Sequence, residues 1–190
     1  VRRKGFEQAF SGTRIMIPRG VETSTIRLRA TYVNLPLTFQ DIIQAILVPR
    51  GREARGKILT ALLNSKVAVW FAFHGTASFG SERPEVKQAE LLHLPFPDIA
   101  DLPDRPRAEK AAQQLVVLMD NAIQTAKQPF TLGNGHADLL EQVDKLAYEY
   151  FCLSQDEITI IEDTVDCLIP AAQPSAGTYP NIWKTPTASE

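Results

Sequence analysis

The sequence predicts an α+β fold: a small, twisted, mainly antiparallel sheet with a helix packed on it, followed by a helical subdomain. Short alternating or β-branched segments precede residue 50, which is typical of strands. Apolar residues then recur at helical spacing between 56 and 73. Three more segments with helical periodicity follow residue 107, and no strand pattern lies among them. The sheet is therefore formed mainly by residues before position 50, and helices dominate after it.

Three segments are predicted to form the sheet. Residues 13–20, TRIMIPRG, form a short strand ended by Pro18 and Gly20. Residues 25–33, TIRLRATYV, alternate between apolar and polar side chains, so Arg27 and Arg29 should lie on an exposed face. Residues 37–50 contain β-branched residues and end near Pro49, which favours a strand for at least their second half.

One largely buried helix is predicted over 56–73, because apolar residues repeat there every three or four positions. They are Ile58, Leu59, Leu62, Leu63, Val67, Val69, Trp70 and Phe73. Residues 89–97, AELLHLPFP, are predicted to be a short strand or extended segment, since Pro95 and Pro97 disfavour helical backbone in the residues before them.

The prolines and mixed charges of 98–107, DIADLPDRPR, predict a linker. We therefore divide the chain into a basic α+β domain (1–97), the linker, a helical subdomain (108–169) and an irregular tail (170–190). The subdomain should hold helices over 108–126 and 137–151. A third helix should start at the Ser154–Glu157 capping box and turn Ile158, Ile161, Val165 and Leu168 inward. Because the chain begins without Met, we expect a piece of a longer protein.

Basic and acidic residues are unevenly distributed. Residues 1–66 hold 12 Lys and Arg against 4 Asp and Glu, whereas residues 67–190 hold 8 against 18. Such a division favours contact with a polyanion at the basic end, the alternative being that charges cluster on solvated faces. No apolar run approaches the roughly 18 residues of a membrane span. Cys152 and Cys167 fit no metal or redox motif. We expect a cytoplasmic protein without a membrane partner.

No catalytic or cofactor motif occurs in the 190 residues. The histidines are isolated, and neither a nucleophile elbow nor a phosphate-binding loop is present. Gly133 and Gly135 precede a helix, but without a third glycine or a preceding central strand they indicate a plain turn. The sequence therefore predicts a chain with no catalytic residue, bound cofactor or metal of its own.

Residues 57–97 resemble the C-terminal target-recognition region of adenine-N6 DNA methyltransferases of restriction-modification and phage-defence systems. The shared features are a helix ending in Leu-Leu-Asn-Ser, an aromatic continuation, a Ser/Gly loop and a final Leu-Pro-Phe-Pro. RIMIPRG and TIRLRATYV are similar to the family's preceding strands, and 139–165 resemble its trailing helical unit. The resemblance covers roughly 13–165, and the order of these short motifs carries it.

The resemblance implies a domain that recognises double-stranded DNA. The family's Asn/Asp-Pro-Pro-aromatic signature and its glycine motif for S-adenosylmethionine are absent here. Methyl transfer and S-adenosylmethionine are therefore expected only in a catalytic domain of the parent chain, in cis. A nuclease or helicase subunit is a further candidate partner. The alternative is a protein-interaction module whose acidic helices dock a partner subunit.

Candidate DNA contacts are basic and hydroxyl residues of the first 97 positions. Arginine suits both phosphate contacts and bidentate contacts to guanine, and serine in a glycine-containing loop can donate to phosphate oxygens. For the two serines, capping of a helix exit is an equal alternative. The candidates are Arg14, Arg19, Arg27, Arg29, Arg50, Arg52, Arg55, Ser78, Ser81, Arg83 and Lys87.

Overall fold

The computed structural model describes residues 7–21, 25–76, 79, 85–126 and 135–172. Within these residues the fold is α+β, with a three-stranded antiparallel sheet and several helices, as predicted. Ser78, Ser81, Arg83 and most of the predicted tail lie outside the described residues.

The sheet has the order β2-β1-β3 and every pairing is antiparallel. Strand β1 spans Arg14–Pro18, β2 spans Thr31–Val33 and β3 spans Ile43–Leu47. Ile15 pairs with Tyr32 on one side and Ile46 on the other, and its side chain is fully buried. The predicted strands over 13–20 and the second half of 37–50 are therefore confirmed.

The predicted strand over 25–33 is wrong in its first six residues. Ile26 and Arg29 adopt left-handed backbone with φ of 50° and 54°, which interrupts the alternation. In β1, the backbone N–H and C=O groups of odd-numbered residues point toward β3. The N–H of Arg19, just beyond the strand, shows this alternation by donating to the carbonyl of Ile42. The backbone groups of the even-numbered residues of β1 therefore point toward β2. The next residue on that side after Met16 is Pro18, which has no N–H to donate. This missing donor explains why β2 stops at Thr31.

Two helices replace the single helix predicted over 56–73. Helix α1 spans Glu53–Leu63 and α2 spans Lys66–Gly75, with a bend of 68° between them. Ser65 has extended backbone and its hydroxyl accepts a hydrogen bond from the N–H of Ala68, so it caps α2 and starts a new helix. No single helix among the described residues is long and apolar enough to cross a membrane; α1 and α2 meet that test only when joined.

The predicted extended segment at 89–97 begins instead with a short helix, α3, over Gln88–Leu91. The carboxylate of Glu90 accepts a hydrogen bond from the N–H of Lys87 at 2.5 Å, which closes this turn. Residues 92–94 form a turn and a bend, residues 95–98 have no regular structure, and a 3-10 turn over Ile99–Asp101 follows.

The long helices agree with the sequence. Helix α4 spans Arg105–Ala126, α5 spans Gly135–Tyr150 and α6 spans Gln155–Asp163. The Ser154–Glu157 capping box is present, and hydrogen bonds from Ser154 lower the pKa of the Glu157 carboxyl. After α6, a π-helical turn over Thr164–Leu168 leads into α7, Ile169–Ala172. This wider turn leaves Leu168 50 % exposed and buries Ile169, so the predicted inward position of Leu168 is wrong.

Two groups of buried apolar residues form the core. The sheet cluster lies between the sheet and α2, and also includes Val165 and Ile169. The helix cluster joins α1 and α2 to α4, α5 and α6. The neighbours Leu62 and Leu63 belong to different clusters, Leu62 to the helix cluster and Leu63 to the sheet cluster. Residues on both sides of the predicted 98–107 linker therefore share each core, and Ile99 and Leu102 of the linker itself pack against the helix cluster.

Candidate nucleic-acid interface

Arg14 is fully buried and serves the fold. Its guanidinium donates to the carbonyl of Gly12 at 2.6 Å and to that of Leu35 at 2.7 Å. Both carbonyls belong to loop residues that flank the strands, so Arg14 ties these loops to β1. A buried guanidinium with this role is not accessible to DNA, which removes Arg14 from the candidate interface.

Arg27 is also buried, contrary to its predicted exposed position. Its two terminal nitrogens lie 3.0 and 2.7 Å from the two carboxylate oxygens of Asp144 on α5. Asp144 accepts a third hydrogen bond, at 2.7 Å, from the N–H of Lys66, the first residue of α2. Burial raises the pKa of the Asp144 carboxyl, and Arg27 counteracts part of that rise. This pair joins the 25–30 segment, α2 and α5 at one point.

Arg55 is exposed on α1 but is held by its surroundings. Its guanidinium lies 4.7 Å from the centre of the Phe96 ring and forms an ion pair with Asp98. The hydroxyl of Tyr150 donates to the carbonyl of Pro97 at 3.0 Å. The Leu-Pro-Phe-Pro segment is thereby fastened to α1 and to the end of α5.

Ion pairs connect the basic part of the chain, residues 1–66, to the acidic part. Four basic residues of 1–66 pair with acidic residues beyond position 97. The pairs are Arg27–Asp144, Arg55–Asp98, Lys57–Asp120 and Lys66–Asp166. Four of the twelve basic residues of 1–66 are therefore paired with acidic residues of the same chain.

Four candidates remain exposed and form no ion pair with any described residue: Arg19, Arg50, Arg52 and Lys87. Arg50 and Arg52 flank Gly51, whose φ of 81° makes the tight turn between β3 and α1. Arg29 is exposed as well but has a contact of its own, so it is not counted with these four.

The four residues lie at opposite ends of the sheet. Arg19 follows β1, and its carbonyl accepts a hydrogen bond from the N–H of Val86, the neighbour of Lys87. Arg50 and Arg52 lie beyond the other end, where the N–H of Val48 donates to the carbonyl of Thr13. These two rungs, at Thr13 and Arg19, lie six residue steps apart along β1 and its flanking residues, which corresponds to about 20 Å of extended chain.

The loop that contains Ser78, Ser81 and Arg83 is described only at Phe79 and at its end. The Phe79 side chain is buried, with its ring 6.0 Å from that of Phe73. Glu85 forms an isolated bridge with Gly20, next to Arg19. The end of the loop is thus held at the same end of the sheet as Arg19 and Lys87.

The Leu-Leu-Asn-Ser motif, at Leu62–Ser65, has a structural role that sequence reasoning missed. The side-chain oxygen of Asn64 accepts from the N–H of Ala30 at 3.0 Å, and its nitrogen donates to the carbonyl of Ala30 at 2.7 Å. Asn64 thus takes the place of a neighbouring strand for Ala30, while Ser65 caps α2. An Asn-Ser pair within a helical pattern is a helix stop-and-start signal and could have revealed the bend.

Among the described residues, no group of three or more His, Cys, Asp or Glu side chains is arranged to hold a metal ion. Comparisons of the chain with protein-family models, with curated proteins and with solved structures find no match. The resemblance to methyltransferase target-recognition regions stays a prediction from the sequence motifs.

Proposed function

We propose that this chain is a double-stranded DNA target-recognition region of an adenine-N6 DNA methyltransferase. The observation that carries the proposal is the set of exposed residues Arg19, Arg50, Arg52 and Lys87, which have no ion-pair partner in the described part of the chain. Methyl transfer and S-adenosylmethionine binding are assigned to a catalytic domain in cis, because this chain has neither motif.

The two ends of the sheet would meet the DNA backbone at two separate places. A separation of about 20 Å along β1 is comparable with the span of six base pairs at 3.4 Å each. Arginines on short turns can contact phosphates, and their planar guanidinium groups can also read guanine edges in the major groove. Among the described candidates, Arg14 is buried, and Arg27 and Arg55 are paired with Asp144 and Asp98, so the proposed interface is centred on these two ends.

The test is titration with duplex DNA at several salt concentrations. We expect the Arg50→Ala/Arg52→Ala variant to bind about tenfold more weakly than the unmodified chain. The slope of log affinity against log salt should fall by about 0.9 for each lost phosphate contact. Both side chains are exposed, so the variant should remain folded.

The matched control is Arg105→Ala/Lys110→Ala on α4, which removes the same charge from an exposed surface of the acidic part. We expect this variant to bind DNA nearly as well as the unmodified chain. Equal losses in the two variants would indicate diffuse attraction to net charge. An unmodified chain that shows no salt-dependent binding would contradict the DNA proposal.

A partner-docking module is the second candidate function. It is favoured by two exposed apolar side chains. Ile160 on α6 is 56 % exposed, and Leu168 on the π-helical turn is 50 % exposed. Asp156 and Asp163 are exposed on the same helix, α6. If the chain is such a module, its acidic helices would dock a basic partner subunit. The Arg50→Ala/Arg52→Ala variant would then bind that partner as tightly as the unmodified chain does.

A further inference from the structure

Arg50 and Arg52 belong to one β-turn between β3 and α1. The N–H of Arg52 donates to the carbonyl of Pro49 at 2.9 Å, which closes the turn over residues 49–52. The third residue of this 49–52 turn is Gly51, whose φ of 81° lies in a region that residues with a side chain rarely adopt. The two exposed arginines are thus the second and fourth residues of a single tight turn.

The side chain of Glu53, the first residue of α1, adds a second hydrogen bond to this turn. One of its carboxylate oxygens accepts from the N–H of Gly51 at 3.0 Å. A glycine at the centre of a turn leaves the peptide unit before it free to reorient, since glycine tolerates both signs of φ. Because the Gly51 N–H belongs to that peptide unit, the Glu53 carboxylate holds it in one orientation.

The charge of Glu53 opposes DNA binding at this turn. Hydrogen bonds from the N–H groups of Gly51 and of Glu53 itself lower the pKa of its carboxyl, and the positive charges of Arg50 and Lys57 lower it further. The side chain is therefore a carboxylate at neutral pH, and a carboxylate beside the two arginines repels phosphate. Any favourable contribution of Glu53 to DNA binding must come from the shape of the turn and not from charge.

We propose that Glu53 is a positioning residue that holds the 49–52 turn in the arrangement in which Arg50 and Arg52 contact DNA. This inference rests on the proposed function, since it concerns how that interface is ordered before DNA binds. Groups that are already ordered lose less conformational freedom on binding, which raises affinity without a new contact. Glu53 acts through the two arginines and not through a DNA contact of its own.

Two substitutions separate the shape of the turn from the charge of Glu53. Glu53→Gln and Glu53→Ala both remove one negative charge, but only glutamine keeps an oxygen that can accept from the Gly51 N–H. In titrations with duplex DNA, Glu53→Gln should bind at least as tightly as the unmodified chain, because the repulsion of phosphate is gone. We expect Glu53→Ala to bind about fivefold more weakly than Glu53→Gln, with the same slope of log affinity against log salt.

A double-mutant cycle shows whether this difference depends on the arginines. In the Arg50→Ala/Arg52→Ala background, measured at low salt so that weak binding is detected, Glu53→Gln and Glu53→Ala should bind DNA equally. The reason is that the side chains positioned by the turn are then absent. A difference between the two variants that persists in this background would overturn the positioning role, because it would reflect a more general change of structure.

Hydrogen exchange at the Gly51 amide, measured by NMR, tests the positioning in the absence of DNA. The amide should exchange several-fold faster in Glu53→Ala than in Glu53→Gln, because only the second variant keeps its acceptor. Equal exchange in the two variants, with DNA binding by the unmodified chain intact, would overturn the role of Glu53 and leave the proposed function standing. An unmodified chain that does not bind duplex DNA would overturn both.

Discussion

At the scale of single residues, Arg27 forms a buried ion pair that joins three parts of the fold. Its guanidinium and the Asp144 carboxylate form two hydrogen bonds, and both side chains are largely buried, at 8 % exposed. Removing one member of such a pair leaves the other charge buried without compensation, which costs far more than losing a surface ion pair. Asp144 also caps the start of α2, so its position affects a second element.

We therefore expect Arg27→Ala to lower the free energy of unfolding by about 3 kcal/mol. The measurement is urea denaturation followed by circular dichroism. Arg19→Ala is the matched control, because Arg19 is exposed and its loss should change stability by no more than about 0.5 kcal/mol. Similar stabilities for the two variants would mean that Arg27 does not lie in a buried pair.

Among the elements, the last helical segment shows how one wider turn changes which residues face the core. The sequence spacing of Ile158, Ile161 and Val165 continues regularly to Leu168, but the π-helical turn over Thr164–Leu168 adds a residue to that turn. Ile169 then occupies the inward position beside the sheet cluster, and Leu168 faces outward.

The two neighbouring residues should respond differently to truncation. Ile169→Ala is expected to lower the free energy of unfolding by about 2–4 kcal/mol, since it removes buried methyl groups and leaves a cavity. Leu168→Ala should cost no more than about 0.5 kcal/mol because that side chain is half exposed. Thermal and urea unfolding of both variants provide the measurement, and a reversed order of stability would contradict the π-helical turn.

At the scale of the whole molecule, the basic and acidic parts are packed against one another. Four ion pairs connect residues of 1–66 to acidic residues beyond 97. Helices α1 and α2 also contribute side chains to both the sheet cluster and the helix cluster. Disruption of either cluster would therefore expose apolar surface of the same two helices.

This shared packing predicts that the chain unfolds in one cooperative transition. Native-state hydrogen exchange can test it at two buried positions, Ile17 in β1 and Leu115 in α4. Their amides should exchange with the same free energy of opening, because both require global unfolding. Markedly different values would indicate that the residues before and after 98–107 unfold separately.

Local patterns were sufficient for several elements of the fold. Strands β1 and β3 follow from short segments that end near Pro18 and Pro49, the second rich in β-branched residues. Helices α4, α5 and α6 follow from apolar periodicity, and the start of α6 follows from the Ser154–Glu157 box. These features depend on neighbours within four residues, so the sequence contains their causes in one place. Exposure of Arg50 and Arg52 is similarly local, because they flank a turn glycine.

Burial of Arg14 and Arg27, the bend at Asn64 and the outward position of Leu168 depended on the tertiary structure. Arg27 and Asp144 are 117 positions apart, and Asn64 and Ala30 are 34 apart. The alternating sequence TIRLRATYV would form a longer strand if a neighbouring strand could hydrogen-bond to its whole length. Its first six residues leave the sheet here because Pro18 offers no donor and Asp144 binds Arg27. Local propensity therefore determined which elements could form, and partners distant in sequence decided which arginines reach the surface.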